Sequence, residues 1–275
     1  MKSIFLKSIV FFAVPAMLAA QDPAPPPQRI TLPFSDPSRP KSLTVNIPMG
    51  SVTVTGYDGN DAVIEYSGRV DGPHRKARPD DLPPGMHRLD QPTNPIEATQ
   101  ENNVVRVKGG SWDRLNIQIK VPKQTTLELK TMNGSISVGG ISGEMTIDAM
   151  NGHINVQDAS GPVMAHSMNG RITASLAQLS AAKASSFSSM NGSIEVTLPA
   201  DLKARLKMKS DHGEIYTDFD VKVDSATGPT SLAPDGGGKN GGGAHTDRTL
   251  YGTINGGGPE MQFITYNGRI VIRKK

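Results

Sequence analysis

The chain has 275 residues, no cysteine, 5% aromatic residues and a formal net charge of +3. Without cysteine it can form no disulfide, no thiolate metal site and no cysteine nucleophile. The charge is too small to mark a nucleic-acid surface or a polybasic membrane surface, and the length is enough to bury a core without covalent staples.

Residues 1–20 read as an export signal. Lys2 and Lys7 precede the apolar run Ile9–Leu18, and Leu18-Ala19-Ala20 offers small residues for cleavage, so the mature chain is expected to begin near Gln21. The apolar run is shorter than the ~20 residues a membrane helix needs. No membrane span is expected in the mature chain, and the destination is the periplasm, the cell surface or the medium. Residues 21–41 are Pro-rich and read as an extended linker.

A folded domain is expected over 42–273. Leu43, Val45 and Ile47 alternate with polar residues, as do Val52 and Val54, and Val63-Ile64-Glu65-Tyr66 follows. Residues 71–100 carry six prolines and little apolar content, which predicts an exposed insertion without a core. Strands resume at Val104–Val107 and at Leu115–Val121, the second alternating cleanly. Leu176–Ala184 reads as a loop insertion. A second interruption, 226–247, holds two Gly-Gly-Gly runs, and Leu250–Asn255 and Gln262–Ile272 then read as strands of a closing cap. No segment has convincing helical periodicity, so the chain reads as all-β.

Between Thr131 and Val196 one phrase occurs four times. The copies are Met132-Asn133-Gly134-Ser135-Ile136, Met150-Asn151-Gly152-His153-Ile154, Met168-Asn169-Gly170-Arg171-Ile172 and Met190-Asn191-Gly192-Ser193-Ile194, with Asn-to-Asn steps of 18, 18 and 22 residues. Looser copies are Met49-Gly50-Ser51-Val52, Asp211-His212-Gly213-Glu214-Ile215 and Tyr266-Asn267-Gly268-Arg269-Ile270. A near-fixed period marks a stacked architecture. Apolar parity reverses at each Gly, which points to a corner with a backbone conformation closed to other residues.

Two folds fit. In a single-stranded parallel β-helix with rungs of 18–22 residues, Asn133, Asn151, Asn169, Asn191 and Asn267 stack as an inward amide ladder, with Gly134, Gly152, Gly170, Gly192 and Gly268 at the corner. In an antiparallel meander each Asn-Gly is a hairpin turn. The period favours the solenoid, because a meander has no need of one quartet at a fixed long spacing.

The Asn-Gly-x-Ile units, with Leu115–Pro122, Val196-Thr197-Leu198-Pro199-Ala200 and Asn255–Glu260, resemble the bacterial DUF4097 family of unknown function, whose members carry an adhesin label. The resemblance spans roughly Leu43 to Arg273. It implies an exported, right-handed β-solenoid without catalytic residues to carry over.

Chemistry is sparse. His-Glu-x-x-His, Gly-x-Ser-x-Gly and phosphate-loop patterns are absent. His153, His166 and His212 could approach one another in adjacent rungs but lack ligand spacing, so no catalytic residue, cofactor or metal is expected. The Gly-rich stretch at Asp235 does not repeat as a calcium roll does. Glu128, Glu144, Asp148, Asp158, Glu195 and Glu214 occupy different places in the repeat and need not converge. If the Asn residues face inward, Met132, Met150, Met168, Met190 and Tyr266 form an outward interaction column; the opposite case buries the Met and exposes the Asn. The expected function is a non-enzymatic exported module of the envelope, adhesin-like or structural, with a protein or glycan partner. The alternatives are a polysaccharide-active β-helix enzyme and a periplasmic accessory of an envelope stress response.

Overall fold

A computed structural model describes residues 27–36, 38–70, 95–110, 113–178, 183–223 and 249–275. The expected export signal, most of the expected first insertion and the whole of the second lie outside the described residues. In chain order the strands are β1 (Gln28–Pro33), β2 (Ser42–Tyr57), β3 (Asp61–Val70), β4 (Ile96–Glu101), β5 (Val104–Gly109), β6 (Asp113–Pro122) and β7 (Thr126–Asn133). There follow β8 (Ile136–Gly139), β9 (Met145–Asn151), β10 (Ile154–Ala159), β11 (Val163–Asn169), β12 (Ile172–Leu176), β13 (Ser185–Asn191) and β14 (Ile194–Leu198). The last are β15 (Ala204–Ser210), β16 (Ile215–Thr217), β17 (Lys222–Val223), β18 (Leu250–Ile254), β19 (Glu260–Asn267) and β20 (Ile270–Lys274). No described residue is helical.

The strands build a two-sheet β-solenoid. Each rung places one strand in sheet B, turns a corner, and places the next in sheet A. The pairing is parallel and in register through the repeats: Leu127, Leu129, Thr131 and Asn133 of β7 lie beside Met145, Ile147, Ala149 and Asn151 of β9. β9 pairs with β11 and β11 with β13 in the same way, while β8, β10, β12 and β14 repeat the arrangement in sheet A. The Asn-Gly pairs are therefore rung corners and not hairpin turns, which removes the meander.

Identical positions stack because the sequence alternates inside each rung. Met145, Ile147 and Ala149 are buried while Thr146 and Asp148 are half-buried on the outer face. Val52, Ile136, Ile154, Ile172, Ile194 and Ile270 form a buried column in sheet A. In sheet B the Phe187 and Phe263 rings stack, 5.5 Å between centroids and 10° apart in plane.

The rungs do not stack in sequence order. β2 alone supplies both arms of a rung, and this rung lies between β5–β6 and β7–β8. At the other end, β19–β20 lies between β13–β14 and β15–β16. Of the two closing-cap segments expected, Leu250–Ile254 does cover an end as β18, but β19–β20 fills the interior of the stack. Antiparallel strands cover both sheets at one end and sheet B at the other, leaving β16 as the outer strand of sheet A among the described residues. β3 covers β6 and β1 covers β3, β4 covers β5, and β18 covers β15 with β17 outside it. Antiparallel covers occupy edges that would otherwise invite intermolecular pairing.

Two boundary expectations are corrected. The stretch 21–41 is not all linker: β1 pairs with β3 and Phe34 is buried, because Ile30 and Leu32 alternate against that core. The insertion expected over 71–100 ends earlier, since Ile96 is buried and β4 pairs with β5 across Asn102 and Asn103. Both Asn residues take positive φ, 50° and 62°, as a two-residue hairpin turn requires. The Asn103 amide accepts from Asp36 N at 2.9 Å and donates to Asp36 O at 2.5 Å, fastening the early segment to this turn.

Candidate functional site: the stacked corner and its outer face

The corner is held by three parallel columns. The first is the amide ladder. Asn151 Nδ2 donates to Asn133 Oδ1 at 3.0 Å, and Asn169 to Asn151, Asn191 to Asn169 and Asn267 to Asn191 each at 2.8 Å. The ladder exists as the spacing predicts, but it is exposed and does not face inward. Between Ala149 and Ile154, both buried, the inward alternation must reverse once. Asn151, Gly152 and His153 absorb that reversal, so the Asn side chain leaves the end of the sandwich.

The second column is glycine. A Cβ on Gly152 would meet Gly134 O at 1.8 Å, one on Gly170 would meet Gly152 O at 2.0 Å, and one on Gly192 would meet Gly170 O at 2.0 Å. The column continues from Gly268 to Gly192 O at 2.2 Å and from Gly213 to Gly268 O at 2.0 Å, independently recording the position of the β19–β20 rung. Gly152 does not sit in the left-handed region that was expected; close approach of the next rung's backbone excludes a side chain there. Gly50, at φ 124°, does need glycine's conformational freedom.

The third column is hydroxyl. Ser167, Ser189, Thr265 and Ser210 donate to the carbonyls of Gly152, Gly170, Gly192 and Gly268 at 2.9–3.1 Å. These residues were not singled out from sequence. Their signal is a Ser or Thr two places before the Asn position (His212 in one copy), present in five copies and replaced by Ala149 in one; of the five, only Thr131 leaves its buried hydroxyl without a partner.

Outside these columns, on sheet B, lies the methionine row. Met132, Met150, Met168 and Met190 are 50%, 42%, 40% and 50% exposed, and Tyr266 continues the row at 47%. Asp211 ends it, its position fixed by the bond from His212 N to Tyr266 O at 3.0 Å. The row runs Met132, Met150, Met168, Met190, Tyr266, Asp211, which is not the sequence order of its last two members. Both Met and Asn are exposed, so neither sequence alternative is right in full: the outward Met column stands, and the inward Asn does not.

Two shallow grooves flank the row. One of about 310 Å³ is lined by Met132, Met150, Met168, His166, Asp148 and Lys130, among others. Another of about 520 Å³ is lined by Met190, Tyr266, Tyr251, Lys207 and Lys209. Met164, 43% exposed, and Tyr251 enlarge the apolar face and were not expected. Alternation back from Met168 would have found Met164 and His166. Glu128 holds Lys130 at 2.7 Å and raises its pKa, keeping the ammonium charged.

The opposite outer face, on sheet A, is polar, with Thr53, Ser137, Asn155 and Thr173 in successive rungs. The repeat carboxylates are dispersed. Glu128 and Asp148 lie on sheet B, and Glu195 lies on sheet A against Arg273 at 2.9 Å. Glu144 and Asp158, at the far turns, pair with Lys183 at 2.5 Å and Lys275 at 2.9 Å, while Glu214 accepts from the Tyr216 hydroxyl. The histidines also stay apart. His153 Nδ1 accepts from Arg171 N, His166 faces Ser188, and His212 meets Tyr266 edge-on at 4.8 Å between centroids. Among the described residues, no group of three or more His, Asp or Glu side chains could hold a metal ion.

Residues 113–241 match the family model described as Toastrack DUF4097, which shows the resemblance read from the Asn-Gly units. The match covers just under half of the chain and leaves out both intercalated rungs, β2 and β19–β20. Two solved structures are similar. One is a "putative cell adhesion protein" from Clostridium sporogenes, 12% identical, covering 90% of this chain and all of its own, at a TM-score of 0.35. The other is a "putative adhesin" from Bacteroides fragilis, 10% identical, covering 90% of this chain and 97% of its own, at 0.27. These superpositions are loose, and the fold rests on the strand pairing above. No curated protein matches the chain.

Proposed function

We propose that this chain is an exported, non-enzymatic, adhesin-like interaction module of the cell envelope that docks a protein through the outer face of sheet B. The observation that carries the reading is the unbroken row of four exposed methionines closed by Tyr266. Exposed methionines scattered singly need no explanation, but a row set by the register of a rigid stack is a formed surface. Methionine is flexible and polarizable, so such a row suits an adaptable contact with apolar side chains. Sugar rings call for flat aromatic platforms, and this row has a single aromatic member. That favours a protein partner over a glycan. Lys207 beside the tyrosines adds a positive charge suited to acidic groups at the partner's rim, while Lys209 pairs with Asp211 at 3.9 Å.

The test is capture from a solubilised envelope fraction by the full chain on beads. Met150→Asp with Met190→Asp puts two charges into the row and should reduce recovery of the captured protein more than tenfold. Thr173→Asp, on the polar face, should leave recovery unchanged. Equal recovery by the wild type and the double variant would remove the row from the function.

A further inference from the structure

The groove beside Met132, Met150 and Met168 has chemistry beyond its apolar character. Three thioether sulfurs come from adjacent in-register rungs. Thr131, Ala149 and Ser167 pair across β7, β9 and β11 on one side of them, and Asn133, Asn151 and Asn169 on the other. Parallel strands lie about 4.7–4.9 Å apart, so the backbones that carry the three methionines repeat at that spacing. Twice a typical metal–sulfur bond of about 2.3 Å is close to the same length, which lets one ion bridge two neighbouring rungs. His166 lines the same groove. Its Nδ1 is taken by Ser188 Oγ at 2.8 Å. A ligating imidazole commonly has one nitrogen hydrogen-bonded and the other on the metal, and here Nε2 is the remaining one. The local charge also admits a cation: Lys130 is paired with Glu128, and Asp148 stands on the groove wall.

We propose that this groove binds a soft monovalent cation, Cu(I) or its analogue Ag(I), bridged between thioethers of neighbouring rungs, Met150 with Met132 or with Met168, and His166. Thioethers select soft ions; calcium, magnesium and manganese prefer oxygen, and a site of this composition offers zinc no thiolate. Binding breaks no covalent bond and transfers no electron. The site was invisible to a search for Cys, His and carboxylate spacing, because its ligands are methionines brought together by register. It does not rest on the protein-docking reading, since it uses the sulfur atoms and not the apolar area.

The test is a competition titration of the full mature chain with Cu(I) against a chromogenic Cu(I) chelator under anaerobic reducing conditions, repeated with Ag(I) by calorimetry. The wild type should bind one ion per groove. Met132→Leu/Met150→Leu/Met168→Leu keeps side-chain volume and apolar character while deleting the sulfurs. It should lose at least tenfold in affinity for both ions with an unchanged circular dichroism spectrum. His166→Gln should weaken binding less than the triple change. X-ray absorption of the Cu(I) form should show sulfur scatterers in the wild type that the triple variant lacks. Equal affinity in wild type and triple variant, or an absorption spectrum without sulfur, would overturn the proposal. Loss of metal binding is read from the affinity and the absorption spectrum alone, independently of envelope capture.

Discussion

Gly152→Ala is the smallest change that strikes the corner. The new Cβ would sit 1.8 Å from Gly134 O and 2.5 Å from Gly134 C, both backbone atoms that cannot rotate away. Restoring an ordinary separation needs the two rungs to part by more than 1 Å. Two backbone bonds cross the corner there, Gly134 N to Asn151 O at 3.0 Å and Ile136 N to His153 O at 2.9 Å, and both would stretch. Overpacking costs about 1–3 kcal/mol and each weakened hydrogen bond up to about 1 kcal/mol, so a loss of roughly 3 kcal/mol is expected. Gly139→Ala is the matched control: nothing lies within 4 Å of its Cβ and its φ is outside the left-handed region. It should be neutral or slightly stabilising, by up to about 1 kcal/mol through the unfolded state. In urea, with m of about 2–3 kcal/mol/M, Gly152→Ala should lower the midpoint by about 1 M and Gly139→Ala should not lower it. Equal midpoints for Gly152→Ala and wild type would refute the close approach on which the stacking argument depends.

Asn151→Asp should cost about 1 kcal/mol, because the carboxylate cannot donate to Asn133 Oδ1, and Asn151→Leu should cost about the same because the site is exposed; a loss above 3 kcal/mol by urea midpoint would mean the ladder is internal after all. Phe263→Ala should cost about 3–5 kcal/mol, since Phe263 is fully buried and stacked on Phe187 in the interior of the stack, and a cost below 1 kcal/mol would place it in a loose cap. Far-UV circular dichroism of the mature chain should show β content with almost no helix. Melting temperature should not respond to EDTA, because no structural divalent ion is expected; a large drop would reveal one.

The solenoid was legible because stacking demands the same residues at the same period, and Asn-Gly with a following Ile keeps that period through four copies. The corner glycine was legible for a different reason than the operative one: parity reversal locates a corner, but only coordinates distinguish a special φ from a backbone one strand away. The outward Asn was not legible, since alternation was carried through a corner that does not preserve it. Rung order was the largest omission. One signal did bear on it. Tyr266-Asn267-Gly268-Arg269-Ile270 keeps the Asn that Asp211-His212-Gly213-Glu214-Ile215 lacks, and degenerate copies belong at the ends of a repeat array. At the other end Leu115 stands opposite Gly50, again a degenerate rung outside a better one. The continuity of the outer face followed from that order, because Tyr266 continues the methionine row only if its rung lies next to Met190.

The most direct test of the account is therefore a cross-link between β13 and β19. The protein has no cysteine, so an introduced pair reports without interference. Ser188 and Ile264 are register partners on adjacent parallel strands, and Cα atoms about 5 Å apart lie within the span of a disulfide. Ser188→Cys with Ile264→Cys should oxidise to a single intramolecular bridge in the folded protein. Ser188→Cys with Lys209→Cys places the thiols two strands apart, beyond about 7 Å, and should stay reduced. Bridging of the Ser188–Lys209 pair, with the Ser188–Ile264 pair left reduced, would show rungs stacked in sequence order and would dismantle the continuous face.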